Sequence, residues 1–321
     1  MKKNILITGG AGNIGSALVQ KLIRNESNFV LVADNLSTGS LAKLPSEKKS
    51  NWEFVKCDVN DFSCISKLMT AYKFDYVFHF AAVVGVARTQ QYPISVLRDI
   101  EGIRNILELS VKNVVKRVYF SSSSEVYGEP VELPQHEVRT PLNSRVPYAV
   151  VKNVGECFFR SYHQEFGLPY TIFRFFNTYG PNQSVDFVVS RFLAAALKNE
   201  DITVFGDGSQ TRTFTYIDDN IDTIIKCHEE DLILNDVINI GSSKLYTIKE
   251  LADLVLEITQ SSSKVVFLPP LKEGDMTRRQ PDNMKMLKLL NRDLIPLEEG
   301  IKLMMGDKRY LQSIGLKQCV E

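Results

Sequence analysis

The chain alternates between short apolar runs and segments whose apolar residues recur at helical spacing. Asn4 to Ile7 is the first run, and it leads through glycines into a helical segment over 16–23. Phe29–Ala33 comes next and ends at Asp34; Glu53–Cys57 ends at Asp58; Tyr76–Phe80 ends at Ala81-Ala82. Arg117–Phe120 ends in a run of serines, and Tyr170–Phe175 is the sixth. Strands alternating with helices predict an α/β fold with a Rossmann-type, doubly wound parallel sheet, whose ligands bind at the carboxyl ends of the strands. After about residue 176 the pattern changes. Asn177 to Asn182 reads as a loop, Val188–Lys198 as a helix, Ile202–Phe205 as a strand and Gly206–Gln210 as a turn. Val237–Ile240 reads as a strand returning to the sheet, and helices and loops are expected over 243–321.

The glycines after the first strand fall at Gly9, Gly12 and Gly15, between a strand and a helix. Glycine permits the tight turn and lets a pyrophosphate approach backbone amides at a helix N-terminus. Asp34 ends the second strand about 20 residues beyond Gly15, where an acid grips ribose hydroxyls. A carboxylate there repels a 2′-phosphate, and the next arginine after it is Arg88, so NAD is expected rather than NADP. Asn13 and Ile14 in the turn, with Asp58 and Ala81 at the ends of the third and fourth strands, complete the candidate cofactor contacts. The expected division is a dinucleotide-binding domain over 1–176, with returning elements at about 213–242. A smaller C-terminal substrate lobe would comprise 177–212 and 243–321.

The chain has 321 residues, is 44% hydrophobic and carries zero formal net charge. That is enough apolar material for a large core. No basic stripe points to nucleic acid. No apolar run is long enough to span a membrane, and Met1-Lys2-Lys3 leads straight into a strand rather than a signal peptide. The five cysteines (57, 64, 157, 227, 319) form no Cys-x-x-Cys pair, which suits reduced thiols in a cytoplasmic protein. The four histidines lack ligand spacing, so no structural metal is expected.

Tyr148 and Lys152 are four apart and share one face if the segment is helical. An ammonium near a phenol favours the phenolate, which can take a proton from a hydroxyl as hydride leaves its carbon. Ser123 can hold the same oxygen.

These motifs resemble the extended short-chain dehydrogenase/reductases of the NAD-dependent epimerase/dehydratase family. The resemblance rests on 8–15, His79-Phe80-Ala81-Ala82, 123–128, Tyr148 to Lys152, 174–181 and 208–212. It implies a nucleotide-diphosphate sugar as substrate, with Asn177 and Arg212 holding the diphosphate and Arg279 a further candidate. A guanidinium fork suits phosphate oxygens. It also implies transient oxidation at C4 of the sugar, a second role for Lys152 as a cofactor contact, and a homodimer built on helices near 94–112 and 150–166. The apolar Val150, Val151, Val154, Phe158, Phe159 and Tyr162 exceed what one sheet face needs.

The step after C4 oxidation separates the family's members. Ser124-Glu125 matches decarboxylases of UDP-glucuronate and some 4,6-dehydratases, with Glu125 as the extra acid or base. The loop Ala81 to Thr89 resembles its epimerase form instead. Val83, Val84, Val86 and Ala87 make it apolar, and Arg88 is the residue there that could receive a carboxylate. Asp99 stands where the family usually has Asn, and a carboxylate there disfavours an anionic Tyr148. The expected reaction is 4-epimerisation. The alternative is 4,6-dehydration or decarboxylation through Glu125. A catalytically silent NAD-binding sensor is more distant, since it needs no Ser123, Tyr148, Lys152, Asn177 and Arg212 together.

Overall fold

A computed structural model describes residues 2–46, 49–270 and 278–316, with the side chains of Val86 and Ala87 outside the described set. Cys319 also lies outside it. By packing, the chain divides into two units. The first comprises 1–128, 142–175 and 221–238; the second comprises 129–141, 176–220 and 239–321.

The first unit is built on a sheet of seven strands. Six come in chain order: β1 (Lys3–Thr8), β2 (Asn28–Asp34), β3 (Trp52–Lys56), β4 (Tyr76–His79), β5 (Arg117–Ser123) and β6 (Tyr170–Phe175). They lie in the order β3-β2-β1-β4-β5-β6, and Asp236–Ile240 adds the last edge. The pairings from β3 to β6 are parallel. β2 and β3 lie on one side of β1, and β4 to β6 on the other. The chain therefore reverses direction between β1 and β4, where a doubly wound sheet opens a crevice at its carboxyl edge. Ile5, Leu6, Ile7, Val30, Leu31 and Val32 are fully buried, as expected of parallel strands covered on both faces.

The helices of this unit are α1 (Asn13–Leu22), α2 (Phe62–Tyr72), α3 (Val86–Gln91), α4 (Pro93–Leu97), α5 (Asp99–Lys112) and α6 (Pro147–Phe166). α6 starts with Pro147 at its first turn and ends at Gly167, whose φ of 69° is left-handed. Pro tolerates the first position because no N–H is needed there, and Gly stops the helix cheaply. Gly155 lets α6 lie directly on β5: a Cβ there would stand 2.5 Å from the Phe120 ring. α5 packs against α6 and α2.

In the second unit, α7 (Val188–Leu197) packs on the helix Ile248–Thr259, which begins with a Thr247–Glu250 capping box. Strands Ile202–Phe205 and Val265–Leu268 pair in parallel, and Leu245–Thr247 runs antiparallel to Thr211–Thr213. Two of these strands fall where only helices and loops were expected. The 177–182 loop also contains the two-residue strand Thr178–Tyr179, paired with Thr215–Tyr216. Three-residue and four-residue strands with half-exposed side chains leave little periodicity to read.

Candidate functional site

The turn from β1 into α1 is shaped by its glycines. Gly9 has φ +68°, and a Cβ there would lie 2.5 Å from the Ala81 nitrogen; one on Gly15 would lie 2.4 Å from the Gly9 carbonyl. Only Gly tolerates both demands. Gly12 caps α1, and no side chain caps its first N–H groups. Asn13 and Ile14 form its first turn. An uncapped helix start behind a glycine turn suits a pyrophosphate. Asp34, at the end of β2, is 7% exposed. Its carboxylate accepts the N–H groups of Ala11 (3.0 Å) and Leu36 (2.8 Å), so it is fixed against the turn. Lys43 stands near it, and its ammonium is pulled below the ordinary lysine value by burial, with the charge of Asp34 opposing. Asp58, after β3, is exposed and accepts from Asn35 (3.2 Å) and from the Asn60 N–H (2.9 Å). These features fit a dinucleotide with free ribose hydroxyls, as NAD has.

β5 ends in Ser121-Ser122-Ser123, followed by a short 3₁₀ turn, Ser124–Tyr127. Ser123 Oγ accepts the Glu125 N–H at 3.2 Å. Glu125 itself is half-buried on that turn, and α6 packs against the turn. Tyr148 and Lys152 lie four apart in α6, with the Lys152 Nζ 5.7 Å from the centre of the Tyr148 ring. Nζ also lies 3.5 Å from Ser121 Oγ and 5.0 Å from the Phe120 ring centre. Lys152 is buried, and desolvation pushes its pKa down to about 8 while the Asp99 charge resists. At neutral pH the ammonium therefore persists, poised close to release of its proton.

The next turn of α6 carries Glu156, which is fully buried. It accepts from Ser122 Oγ (2.7 Å), from Arg174 Nε (2.8 Å) and Nη2 (2.6 Å), and from Arg160 Nη2 (3.0 Å). Arg174 Nη1 donates to the Tyr127 hydroxyl at 2.8 Å. Burial alone raises the Glu156 carboxyl, but the hydrogen bonds and charge of Arg174 outweigh it and hold it below the ordinary value. Ser122 and Arg174 are register partners on β5 and β6. This network ties Ser122 directly, and Tyr127 through Arg174, to α6.

One group near Lys152 was not singled out as a site residue from the sequence. His79 is buried at the end of β4, with Nδ1 2.9 Å from Thr8 Oγ1. Desolvation, then the Lys152 charge, lowers its pKa to about 3, so it is neutral. Asp99 opens α5 and accepts the Val83 N–H at 2.7 Å. Val83 is half-buried, while Val84 and, on α3, Arg88 are exposed.

In the second unit, Asn177 Nδ2 donates to the Thr213 carbonyl (3.0 Å), and the Asn177 carbonyl accepts from Thr215 (3.0 Å). Arg212 is 7% exposed on the Thr211–Thr213 strand, and Arg279 is 8% exposed. Among the described residues there is no cluster of three or more metal-ligating side chains, and no helix is long and apolar enough to cross a membrane.

A family model described as the NAD dependent epimerase/dehydratase family matches residues 5–241. The chain is 35% identical over 316 residues to a UDP-N-acetyl-alpha-D-glucosaminuronate decarboxylase from Bacillus cytotoxicus, covering 94% of this chain and 96% of that protein. Its fold is similar to a UDP-glucose 4-epimerase from Thermotoga maritima solved with UDP-glucose, at 35% identity, 94% and 97% coverage and a TM-score of 0.88. It is also similar to a dTDP-glucose 4,6-dehydratase from Streptomyces venezuelae solved with NAD, at 27% identity, 96% and 97% coverage and a TM-score of 0.87.

Proposed function

The chain belongs to the NAD-dependent epimerase/dehydratase family, and from that premise we propose that it is a nucleotide-sugar 4-epimerase acting through transient oxidation at sugar C4. When bound, NAD supplies a hydride acceptor that can return what it takes. The observation that carries the reading is Tyr148 beside the buried, charged Lys152 at the carboxyl end of β5. The cation favours the phenolate, and the phenolate takes the proton from the C4 hydroxyl. Ser123 holds that oxygen. Asn177, Arg212 and Arg279 hold the nucleotide diphosphate. Gly9, Gly12, Asn13, Ile14, Gly15, Asp34, Asp58, Ala81 and Lys152 hold the cofactor. A binding-only sensor would leave Ser123 and Tyr148 without a task.

Epimerisation asks for no further acid or base, since the keto sugar need only present its other face before reduction. The apolar loop at Val83 and Val84 suits a neutral sugar. A second reading is favoured by Glu125, half-buried two residues beyond Ser123. A C4 ketone is β to a C6 carboxylate and labilises it toward loss of carbon dioxide. Glu125 would then handle the proton at C5, and Arg88 would receive the carboxylate. In a 4,6-dehydratase Glu125 would serve the elimination of water. A panel of UDP-, GDP-, CDP- and dTDP-sugars, read by product mass, separates the three. Unchanged mass with a modest effect of Glu125→Gln is expected. Loss of water or carbon dioxide, with Glu125→Gln inactive, would replace epimerisation by the second reading.

We further infer a homodimer through α4, α5 and α6, supported by the exposed Ile94 (70%), Leu97 and Val150. A monomer in light scattering at micromolar concentration would refute it. The free Cys57, Cys64, Cys157 and Cys227 support a cytoplasmic setting.

A further inference from the structure

Tyr148, Lys152 and Glu156 are spaced four apart on α6, so they form one stripe along the helix. Tyr148 and Lys152 serve the reacting hydroxyl in the C4-oxidation reading. Glu156, at the far end of the stripe, is fully buried, and each of its carboxylate oxygens accepts twice. Oε1 accepts from Ser122 Oγ (2.7 Å) and Arg174 Nε (2.8 Å). Oε2 accepts from Arg174 Nη2 (2.6 Å) and Arg160 Nη2 (3.0 Å). The pair with Arg174 is bidentate, which fixes direction as well as distance. The remaining Arg174 nitrogen, Nη1, donates to the Tyr127 hydroxyl at 2.8 Å, and the Tyr127 ring centre lies 4.9 Å from the guanidinium carbon.

These bonds close around the segment that carries Ser123 and Glu125. Ser122 precedes Ser123 on β5, and Tyr127 ends the 3₁₀ turn that follows. Within the turn, Ser123 Oγ accepts the Glu125 N–H at 3.2 Å, and the Glu125 carbonyl accepts the Gly128 N–H at 3.1 Å. Gly128 has φ +67°, and a Cβ there would lie 2.5 Å from Asn143 Oδ1, so the chain leaves the turn by a path that only glycine follows easily. A buried ion pair is a weak device for stability, because apolar residues of similar volume often do as well. What it supplies and they do not is a fixed geometry between α6, β5 and the turn.

We propose that Glu156 is a positioning residue: through Ser122, and through Arg174 and Tyr127, it sets the Ser123–Glu125 segment at a fixed distance from Tyr148 and Lys152 on its own helix. The proposal deepens the C4-oxidation reading and rests on it for its catalytic meaning, but not for its geometry. The Ser123 hydroxyl and the Tyr148 phenol act on one oxygen yet come from different elements. A misplacement of about 1 Å between such groups can cost roughly 100-fold in rate.

The test has two readouts. The first is amide hydrogen exchange followed by NMR. Ser122→Ala and Tyr127→Phe each cut one arm and leave the Glu156–Arg174 pair in place. Each should speed exchange of the Glu125 and Gly128 amides by roughly 3–10-fold, the value of one hydrogen bond. The Val118 amide, bonded to the Pro169 carbonyl at 2.9 Å, should stay protected. The second readout is the rate of NADH formation when the NAD-loaded enzyme is mixed rapidly with the panel sugar it turns over fastest. Ser122→Ala should lower that rate by roughly 10-fold, with KM and NAD affinity near wild type. In a Ser123→Ala background the same change should cost much less, because the hydroxyl it misplaces is already gone. If Ser122→Ala does not fold, Tyr127→Phe is read the same way. Unchanged exchange at Glu125 and Gly128, a wild-type rate of NADH formation in the folded variants, or an equal fold loss with and without the Ser123 hydroxyl overturns the proposal. Absence of NADH from every sugar with the wild type would instead overturn the C4-oxidation reading, and the exchange readout would still decide the positioning.

Discussion

Replacing Glu156 by Leu should be among the most costly substitutions in the first unit. The residue is fully buried and accepts four hydrogen bonds, three of them from guanidinium groups. Hydrogen bonds to charged groups contribute roughly 1.5–3 kcal/mol each. The two from Arg174 thus set the scale at about 3–6 kcal/mol. Breaking a buried ion pair by removing one partner costs about 3–5 kcal/mol, because the other charge is left uncompensated. The two figures agree, and at about 2–4 °C per kcal/mol the melting temperature should fall by roughly 6–20 °C. The double variant Glu156→Leu/Arg174→Met removes both charges and should recover at least half of the loss. The Glu156 carboxyl is held below its ordinary value. Its stabilisation is therefore complete above the unfolded carboxylate pKa of about 4.3 and fades as pH falls through the folded value. The gap between wild type and variant should close in acid. Thermal melts by circular dichroism across pH check both points. A loss below about 1 kcal/mol at pH 7, or a double variant no better than the single, would refute the reasoning.

Tyr148→Phe should cut turnover by about 10²–10⁴-fold and leave cofactor binding nearly intact; full activity would move the proton transfer elsewhere. Asp34→Ala should weaken NAD by roughly 10–100-fold, the value of one or two hydrogen bonds, and NADP by less. Preference of the wild type for NADP in a binding titration would contradict the role given to Asp34. The kcat/KM profile should fall as pH rises through about 8, since Lys152 is charged below that value and neutral above it; a flat profile well into the alkaline range would contradict this.

The sheet was legible because its strands are apolar on both faces and end in chemically distinctive residues. Asp34, the Ser121–Ser123 run and the glycine turn each carry a local reason to be where they are. Tyr148 and Lys152 could be set on one helix face from spacing alone. The Glu156–Arg174–Ser122–Tyr127 network could not be read, because it depends on the register of β5 against β6 and on how closely Gly155 lets α6 approach. Asp99 was visible as a departure from the family pattern. Its bond to Val83 was not, since it joins a helix start to a loop 16 residues away. Strands 245–247 and 265–268 were missed for a different reason: Leu245, Val266 and Phe267 are exposed, so polar and apolar positions do not alternate cleanly.

Transient oxidation at C4 is the central claim, and one isotope measurement addresses it. The NAD-loaded enzyme is mixed rapidly with a nucleotide sugar carrying deuterium at C4, in ordinary water. A transient NADH absorbance that rises more slowly than with protium is expected, with no net NADH at the end and deuterium kept at C4 of the product. Turnover with no NADH transient and no isotope effect, or with C4 deuterium washed into the solvent, would contradict it.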